Sequence, residues 1–282
     1  QKQAGIKDFK VDKVILADPV FNYRNKMEFT FSKNRWILDD EPDKVKSDFA
    51  LGMHIPKRWD KILDINTCYL MPEVGSKIIN FVRDLAKKSK LKPYDQRSHI
   101  GFLRYLALRY GENTKELMVN IVTSYEDLDT LVPFVQSLVD EFPEVTSVVN
   151  NINTRKADVS FGEREILLFG KPILNEKLKE LNFQISANSF FQTNSFMAEK
   201  LYDVILDSAD LNGDEIVYDL YCGAGSISLF LAKKAKFVYG FDIIVSSIEN
   251  AEQNAVINNI QNIDFKVANL DSFFYTNKSN KY

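Results

Sequence analysis

Two cysteines, Cys68 and Cys222, are all the thiol chemistry in these 282 residues. That is too few for a disulfide framework and points to a reducing cytosol, hence a cytoplasmic protein. Histidine is as scarce. His54 and His99 stand alone, and no paired Cys or His spacing offers a tetrahedral site, so no metal is expected. No apolar run approaches the roughly 20 residues that cross a bilayer. A surplus of positive charge is missing too. Lys and Arg number 36 against 39 Asp and Glu, a formal net charge of −3. This excludes a uniformly basic nucleic-acid coat but not a local basic groove. The opening Gln1-Lys2-Gln3-Ala4-Gly5 lacks both a signal-peptide core and an initiator Met, so the chain reads as processed or as part of a longer one.

What is present is a globular composition with many aromatics, 12 Tyr and 21 Phe. The length suits one large or two ordinary domains. No repeat or low-complexity tract interrupts it. From Lys26 to Ser32 polar and apolar residues alternate, as in a half-buried strand. A polar loop, Asp39-Asp40-Glu41-Pro42-Asp43, follows. Residues 49–65 read as a strand pair turning at Lys57-Arg58, and residues 73–88 have helical apolar spacing. Residues 102–110 and 117–123 read as a hairpin around Gly111-Glu112-Asn113. A helix over 128–142, stopped by Pro143, and strands at 145–150 and 165–169 complete an α+β pattern.

The second half changes character. Asn194 or Ser195 caps a helix running to about Ala209. Strand 216–220, helix 225–235, strand 237–242, helix 245–259 and strand 263–268 then form βαβαβ, the opening half of a doubly wound sheet. The chain closes on a polar segment, Lys278-Ser279-Asn280-Lys281-Tyr282, so this Rossmann-like unit is expected to be incomplete at its C-terminal end.

The first of these strands enters Tyr221-Cys222-Gly223-Ala224-Gly225-Ser226. Gly223 and Gly225 allow close backbone approach to a ligand, or serve only the sterics of the turn. Asp242 closes the next strand, where a carboxylate meets a ribose diol or caps the following helix. Asp219 either holds the glycine loop or meets a cofactor amine. Asn269, after the third strand, either reads an adenine edge or is a turn residue. In Asn188-Ser189-Phe190-Phe191-Gln192-Thr193-Asn194, aromatics beside amides either close over a cofactor or are core residues with a cap. Cys222, with no basic neighbour, reads as packing rather than nucleophile, and Cys68 as buried structure. Basic residues adjoin aromatics at Tyr23-Arg24-Asn25-Lys26, Lys33-Asn34-Arg35-Trp36, Lys57-Arg58-Trp59 and Arg104-Tyr105. These are either phosphate and base contacts or solvated strand faces.

Tyr23-Arg24-Asn25-Lys26-Met27-Glu28-Phe29, Leu51-Gly52-Met53-His54 with residues 59–65, Ser189-Phe190-Phe191-Gln192-Thr193-Asn194 and Asp219-Leu220-Tyr221-Cys222-Gly223-Ala224-Gly225 occur in this order. Together they resemble the S-adenosylmethionine-dependent RNA uracil-5-methyltransferase family, over most of the chain. The resemblance implies an α/β fold: a central α+β, RNA-facing domain over 1–185, then the first part of the methyltransferase domain over 186–282. It implies S-adenosyl-L-methionine as cofactor and RNA as partner, ribosomal RNA ahead of transfer RNA. Gln192, Asp219, Tyr221, Gly223, Gly225, Ser226, Asp242 and Asn269 fall at or near cofactor positions. Ser226 stands where some members carry Asn, Asp242 replaces the commoner Glu, and Ala268-Asn269 replaces Gly-Asp. In the family a cysteine thiolate adds to uracil C6 and a base later removes the C5 proton. Those residues are expected beyond this chain, as is an N-terminal RNA-binding barrel. No catalytic residue is therefore expected here. The rival readings are a different S-adenosylmethionine-dependent nucleic-acid methyltransferase and a non-catalytic RNA-binding module.

Overall fold

A computed structural model describes residues 13–42, 48–157 and 159–269. The opening pentapeptide, Asp43 of the polar loop and the closing Lys278–Tyr282 segment lie outside them. The first half forms strands β1 (Lys26–Ser32), β2 (Ala50–Ile55) and β3 (Arg58–Asp64), helix α1 (Glu73–Lys88), β4 (Leu103–Tyr110), β5 (Leu117–Thr123), α2 (Leu128–Glu141), β6 (Val145–Ile152) and β7 (Arg164–Gly170). These strands make one seven-stranded sheet in the order β3-β2-β1-β4-β5-β6-β7. Only β5 and β6 are parallel, and α2 is the crossover between them.

Period-2 patterning sets which face is covered. On β1, Met27, Phe29 and Phe31 are buried in a core shared with Ile78, Ile79 and Val82 of α1 and with Leu131 and Leu138 of α2. Lys26, Glu28, Thr30 and Ser32 face the other way. At β1 that face is polar and only partly covered, whereas β4, β5 and β6 are buried on both faces.

The second half brings a hairpin that the sequence reading does not assign: β8 (Ile173–Leu178) and β9 (Leu181–Ser186), a separate two-stranded sheet. Its tight turn uses Lys179 at φ 50° in place of the glycine or asparagine that advertises such turns. Its buried face includes Glu176, which accepts hydrogen bonds from the backbone N–H groups of Glu112 (2.7 Å), Asn113 (3.0 Å) and Lys177 (2.8 Å) and from the Ser195 hydroxyl (2.9 Å). Burial pushes this carboxyl above its ordinary pKa, opposed by those bonds.

Next come α3 (Ser195–Ala209), β10 (Ile216–Leu220), α4 (Ser226–Ala232), β11 (Phe237–Asp242), α5 (Val245–Ile257) and β12 (Ile263–Val267). Asn194 is the α3 cap, accepting from Met197 N at 2.9 Å. Strands β10, β11 and β12 lie side by side and parallel, the βαβαβ order expected. α4 ends three residues earlier than the sequence suggests, because Lys233 and Lys234 donate to the carbonyls of Phe230 and Leu231 in a tightened last turn. Leu174, Phe183 and Ile185 of the hairpin share one core with Tyr202, Phe230, Ile248, Ala251 and Phe265. The hairpin is thus the floor on which α3, α4 and α5 sit.

Asp95 is a testable junction. It is 7% exposed and accepts from Lys33 (2.9 Å) and from the Ser98 hydroxyl (2.6 Å). The lysine and the serine hold its carboxyl well below the ordinary 3.8. A depressed carboxyl contributes stability above its ordinary value and loses it as pH falls through the folded value. Asp95→Asn is expected to lower the melting temperature at pH 7, with the gap from the parent protein closing as pH drops below about 4. A gap that stays constant in melts across this range contradicts the assignment.

Candidate cofactor site

The turn after β10 takes the left-handed backbone region three times in five residues: Tyr221 at φ 69°, Gly223 at 55° and Gly225 at 78°. The two glycines have different reasons to be glycine. A Cβ on Gly225 would meet Phe265 Cζ at 2.8 Å and Ala251 Cβ at 3.0 Å, so β12 and α5 press directly on the backbone there. A Cβ on Gly223 would meet only Phe190 Cδ1, at 3.9 Å. No packing demands a glycine at 223. Gly223 is itself buried, and the place a side chain would take there is bounded only by one exposed aromatic ring.

The turn is tied down from β11. Cys222 N donates to Phe241 O at 2.9 Å, and Gly225 N to Cys222 O at 2.9 Å. Asp242 accepts from Gly223 N on Oδ2 at 3.0 Å and from Ile244 N on Oδ1 at 2.9 Å. The acid closing the second parallel strand thus points into the glycine turn. Each oxygen accepts one backbone bond and keeps a second lone pair for a ligand. Asp242 is not the cap of α5: that position is Ile244, with no side-chain cap bond, and Asp242 holds only the Ile244 N–H just ahead of the helix. Asp219 is half-buried and accepts from the Ser228 hydroxyl. Burial pushes its carboxyl up, the charge of Asp242 adds to this, and the Ser228 bonds oppose it. It braces the start of α4.

Tyr221 is 71% exposed. Ser226 begins α4, and its hydroxyl lies 2.9 Å from the Tyr202 hydroxyl. Asn269 is exposed just past β12. Gln192 is half-buried, and its backbone carbonyl accepts from Asn25 Nδ2 at 2.9 Å. The two phenylalanines before it separate. Phe191 is buried against Phe183, ring centroids 5.6 Å apart, whereas Phe190 is 66% exposed beside the turn. Burial pushes the Cys222 thiol up to about 12, with Asp219 and Asp242 adding to the effect. Its sulfur packs toward Gly240, and Cys68 is buried as well.

Beyond Phe190 a cleft opens onto the polar face of the large sheet, lined by Arg24, Lys26, Glu28, Met53, Phe190 and Thr193 among others. Lys26 pairs with Glu28 at 2.5 Å, and Glu28 accepts from the Ser160 hydroxyl at 2.6 Å. Burial and the charge of Arg109 bring Lys26 below its usual pKa. Sequence reasoning missed Arg109. It is 4% exposed, donates to Ala187 O at 3.2 Å and to Ser189 O, and burial lowers its pKa to about 10. The signal was a second arginine in a strand, LRYLALRY, that is otherwise leucine, alanine and tyrosine. Of the basic–aromatic pairs, Arg58 lies 5.6 Å over Trp36 and pairs with Asp60 at 3.0 Å. Arg104 is neither a phosphate contact nor a solvated strand residue. At 2% exposure it donates to the carbonyls of Asn153, Arg155 and Ala157 at 2.6–2.7 Å and is a fold residue. Among the described residues no His, Cys, Asp and Glu cluster could hold a metal, and no helix is long and apolar enough to cross a membrane.

Comparison with known proteins now has a geometry to refer to. Residues 138–280 match the family model described as tRNA (uracil-5-)-methyltransferase. An uncharacterized RNA methyltransferase of Chlorobaculum tepidum is 42% identical over 275 residues, covering 95% of this chain and 57% of that protein. One from Porphyromonas gingivalis is 38% identical over 257 residues, covering 88% of this chain and 55% of its own length. Among solved structures, the tRNA (uracil-54, C5)-methyltransferase of Pyrococcus abyssi, in complex with S-adenosyl-L-homocysteine, superposes with a TM-score of 0.70 at 30% identity. That match covers 89% of this chain and 57% of the archaeal one. The chain thus spans a little over half the length of these relatives.

The buried, neutral thiol gives a direct check. Native Cys222 is expected to react with iodoacetamide at pH 8 at least about tenfold more slowly than in the urea-unfolded chain. Peptide mass spectrometry reads this, and rapid alkylation of Cys222 in the native state contradicts the geometry.

Proposed function

Because this chain belongs to the tRNA (uracil-5-)-methyltransferase family, we propose that it carries the cofactor-binding and RNA-facing part of an enzyme that methylates C5 of a uridine in RNA. The observation that carries the reading is the open space over Gly223, with the Asp242 carboxylate directed at the turn and Phe190 at its edge. S-Adenosyl-L-methionine fits that donor set: a carboxylate for a ribose diol, glycine backbone free of side chains, and neighbouring polar groups. Asp242 holds the sugar. Gly223 lets the backbone approach, Gly225 keeps the turn pressed against β12 and α5, and Tyr221, Gln192 and Ser226 flank it. Asn269 meets the base, and Asp219 either braces the loop or meets the amine. Bound there, the cofactor supplies an electrophilic sulfonium methyl group.

The cleft from Phe190 to Arg24, Lys26 and Glu28 receives the uridine, with an aromatic face for stacking and charged groups for its polar edge. Carbon 5 of uracil needs activation, which the family achieves by a thiolate adding to C6. Neither Cys222, its thiol pushed up to about 12, nor buried Cys68 suits that role, so no catalytic residue is assigned in this chain. The seam between the two units is proposed before β8, earlier than the sequence boundary at 185–186, since the hairpin shares the core of α3, α4 and α5. Unpaired buried cysteines accord with a cytoplasmic setting.

Two measurements test this. The full-length product of the gene is incubated with methyl-labelled S-adenosylmethionine and, in separate arms, ribosomal and transfer RNA from cells lacking the gene, whereas this chain by itself is expected to transfer no label. Label recovered as 5-methyluridine in one arm supports the reading. Label on an exocyclic amine, or in neither RNA, sinks it. In calorimetry with S-adenosylhomocysteine, Asp242→Ala is expected to weaken binding about tenfold or more, roughly 1.4 kcal/mol. Unchanged affinity removes Asp242 from the site.

A further inference from the structure

Helix α5 carries asparagines at 250 and 254, and its C-cap is Asn258, so the three are spaced four residues apart along one face. That face lies along β9, which pairs with β8 on one edge and, among the described residues, with no strand on the other. Asn258 Oδ1 accepts from Asn182 N at 2.8 Å, and its Nδ2 donates to Asn182 O at 2.7 Å. Asn254 Oδ1 accepts from Gln184 N at 2.7 Å. Asn250 Nδ2 donates to the Ser189 hydroxyl at 2.8 Å and the Ser186 hydroxyl at 3.3 Å. The amides substitute for a neighbouring strand. Four residues of helix advance about 6 Å, close to the roughly 6.8 Å of two strand residues, so the registers agree. This explains why polar side chains occupy a packed helix face: they satisfy an edge that would otherwise be buried without partners.

Asn254 does one thing more. It is fully buried, and its Nδ2 donates at 3.0 Å to the carbonyl of Ala224, between the two glycines of the turn. We infer that Asn254 is a positioning residue of the cofactor site, setting the glycine turn against β9. Asn250 holds the segment that leads to Phe190, so α5 fixes the spacing between turn and aromatic. The inference rests on the cofactor reading above and deepens it.

The test compares Asn254→Ala with Asn258→Ala in the expressed polypeptide. Both remove bonds to the β9 edge, but only the first removes the bond to the turn. Both are expected to lower the melting temperature. Only Asn254→Ala is expected to weaken S-adenosylhomocysteine binding about tenfold, in calorimetry at a temperature where circular dichroism shows both folded, with RNA affinity unchanged. If Asn254→Ala does not fold, Asn254→Asp serves, because it keeps the acceptor for Gln184 N and loses the donor to Ala224 O. Wild-type affinity in the Asn254 variant overturns the inference alone, as does an equal loss in Asn258→Ala. No binding by the parent protein overturns the cofactor reading and this inference with it.

Discussion

Between parallel strand β10 and helix α4 the backbone reverses direction within five residues, and it enters the left-handed region at Tyr221, Gly223 and Gly225. For tyrosine this conformation costs about 1 kcal/mol or more. The turn persists because the surroundings over-determine it. β11 supplies a carbonyl at Phe241 and a carboxylate at Asp242, and β12 and α5 close on Gly225. The space beside Gly223 stays clear of side chains apart from Phe190, while its N–H is held by Asp242. A preorganised surface of this kind binds a ligand without first ordering itself.

The large sheet matters to function through what it holds in place. Arg109, Asn25 and Glu176 are buried polar residues far apart in sequence, yet all act on the segment between β9 and α3. Arg109 holds the carbonyls of Ala187 and Ser189. Asn25 bonds to Gln192 O and to Ser195 Oγ, which in turn donates to Glu176. Phe190 is exposed because Phe191, next to it, is locked into the core. Removing one partner from such a network leaves buried donors and acceptors unmet, a larger loss than the bond itself. The aromatic ring beside the glycine turn is therefore positioned by Asn25 and Arg109 of the first half together with Glu176 of the hairpin.

Much of this was legible in the sequence where burial and local period coincide. The strands at 26–32 and 117–123 and the helix at 73–88 follow their apolar spacing closely, and the glycine turn with its acid stood out by position. The β8–β9 hairpin was hidden by a Lys-Glu turn and by a carboxylate on its inner face, since a buried glutamate mimics a solvent-facing position until its partners are known. Arg104 and Arg109 look like surface cations for the same reason. The asparagine row of α5 reads as a solvated helix face, and only its contact with a strand edge reveals it as structure. In each case the missing information is the identity of a partner distant in sequence.

The account rests on a nucleoside lying over Gly223 with its sugar at Asp242. A crystal structure of the protein soaked with S-adenosylhomocysteine tests this most directly. Both ribose hydroxyls are expected within hydrogen-bond distance, about 2.7–3.0 Å, of the Asp242 carboxylate, with the Gly223 bond retained. A ligand seated elsewhere, or a sugar turned away from Asp242 while the turn stays as it is, contradicts the account.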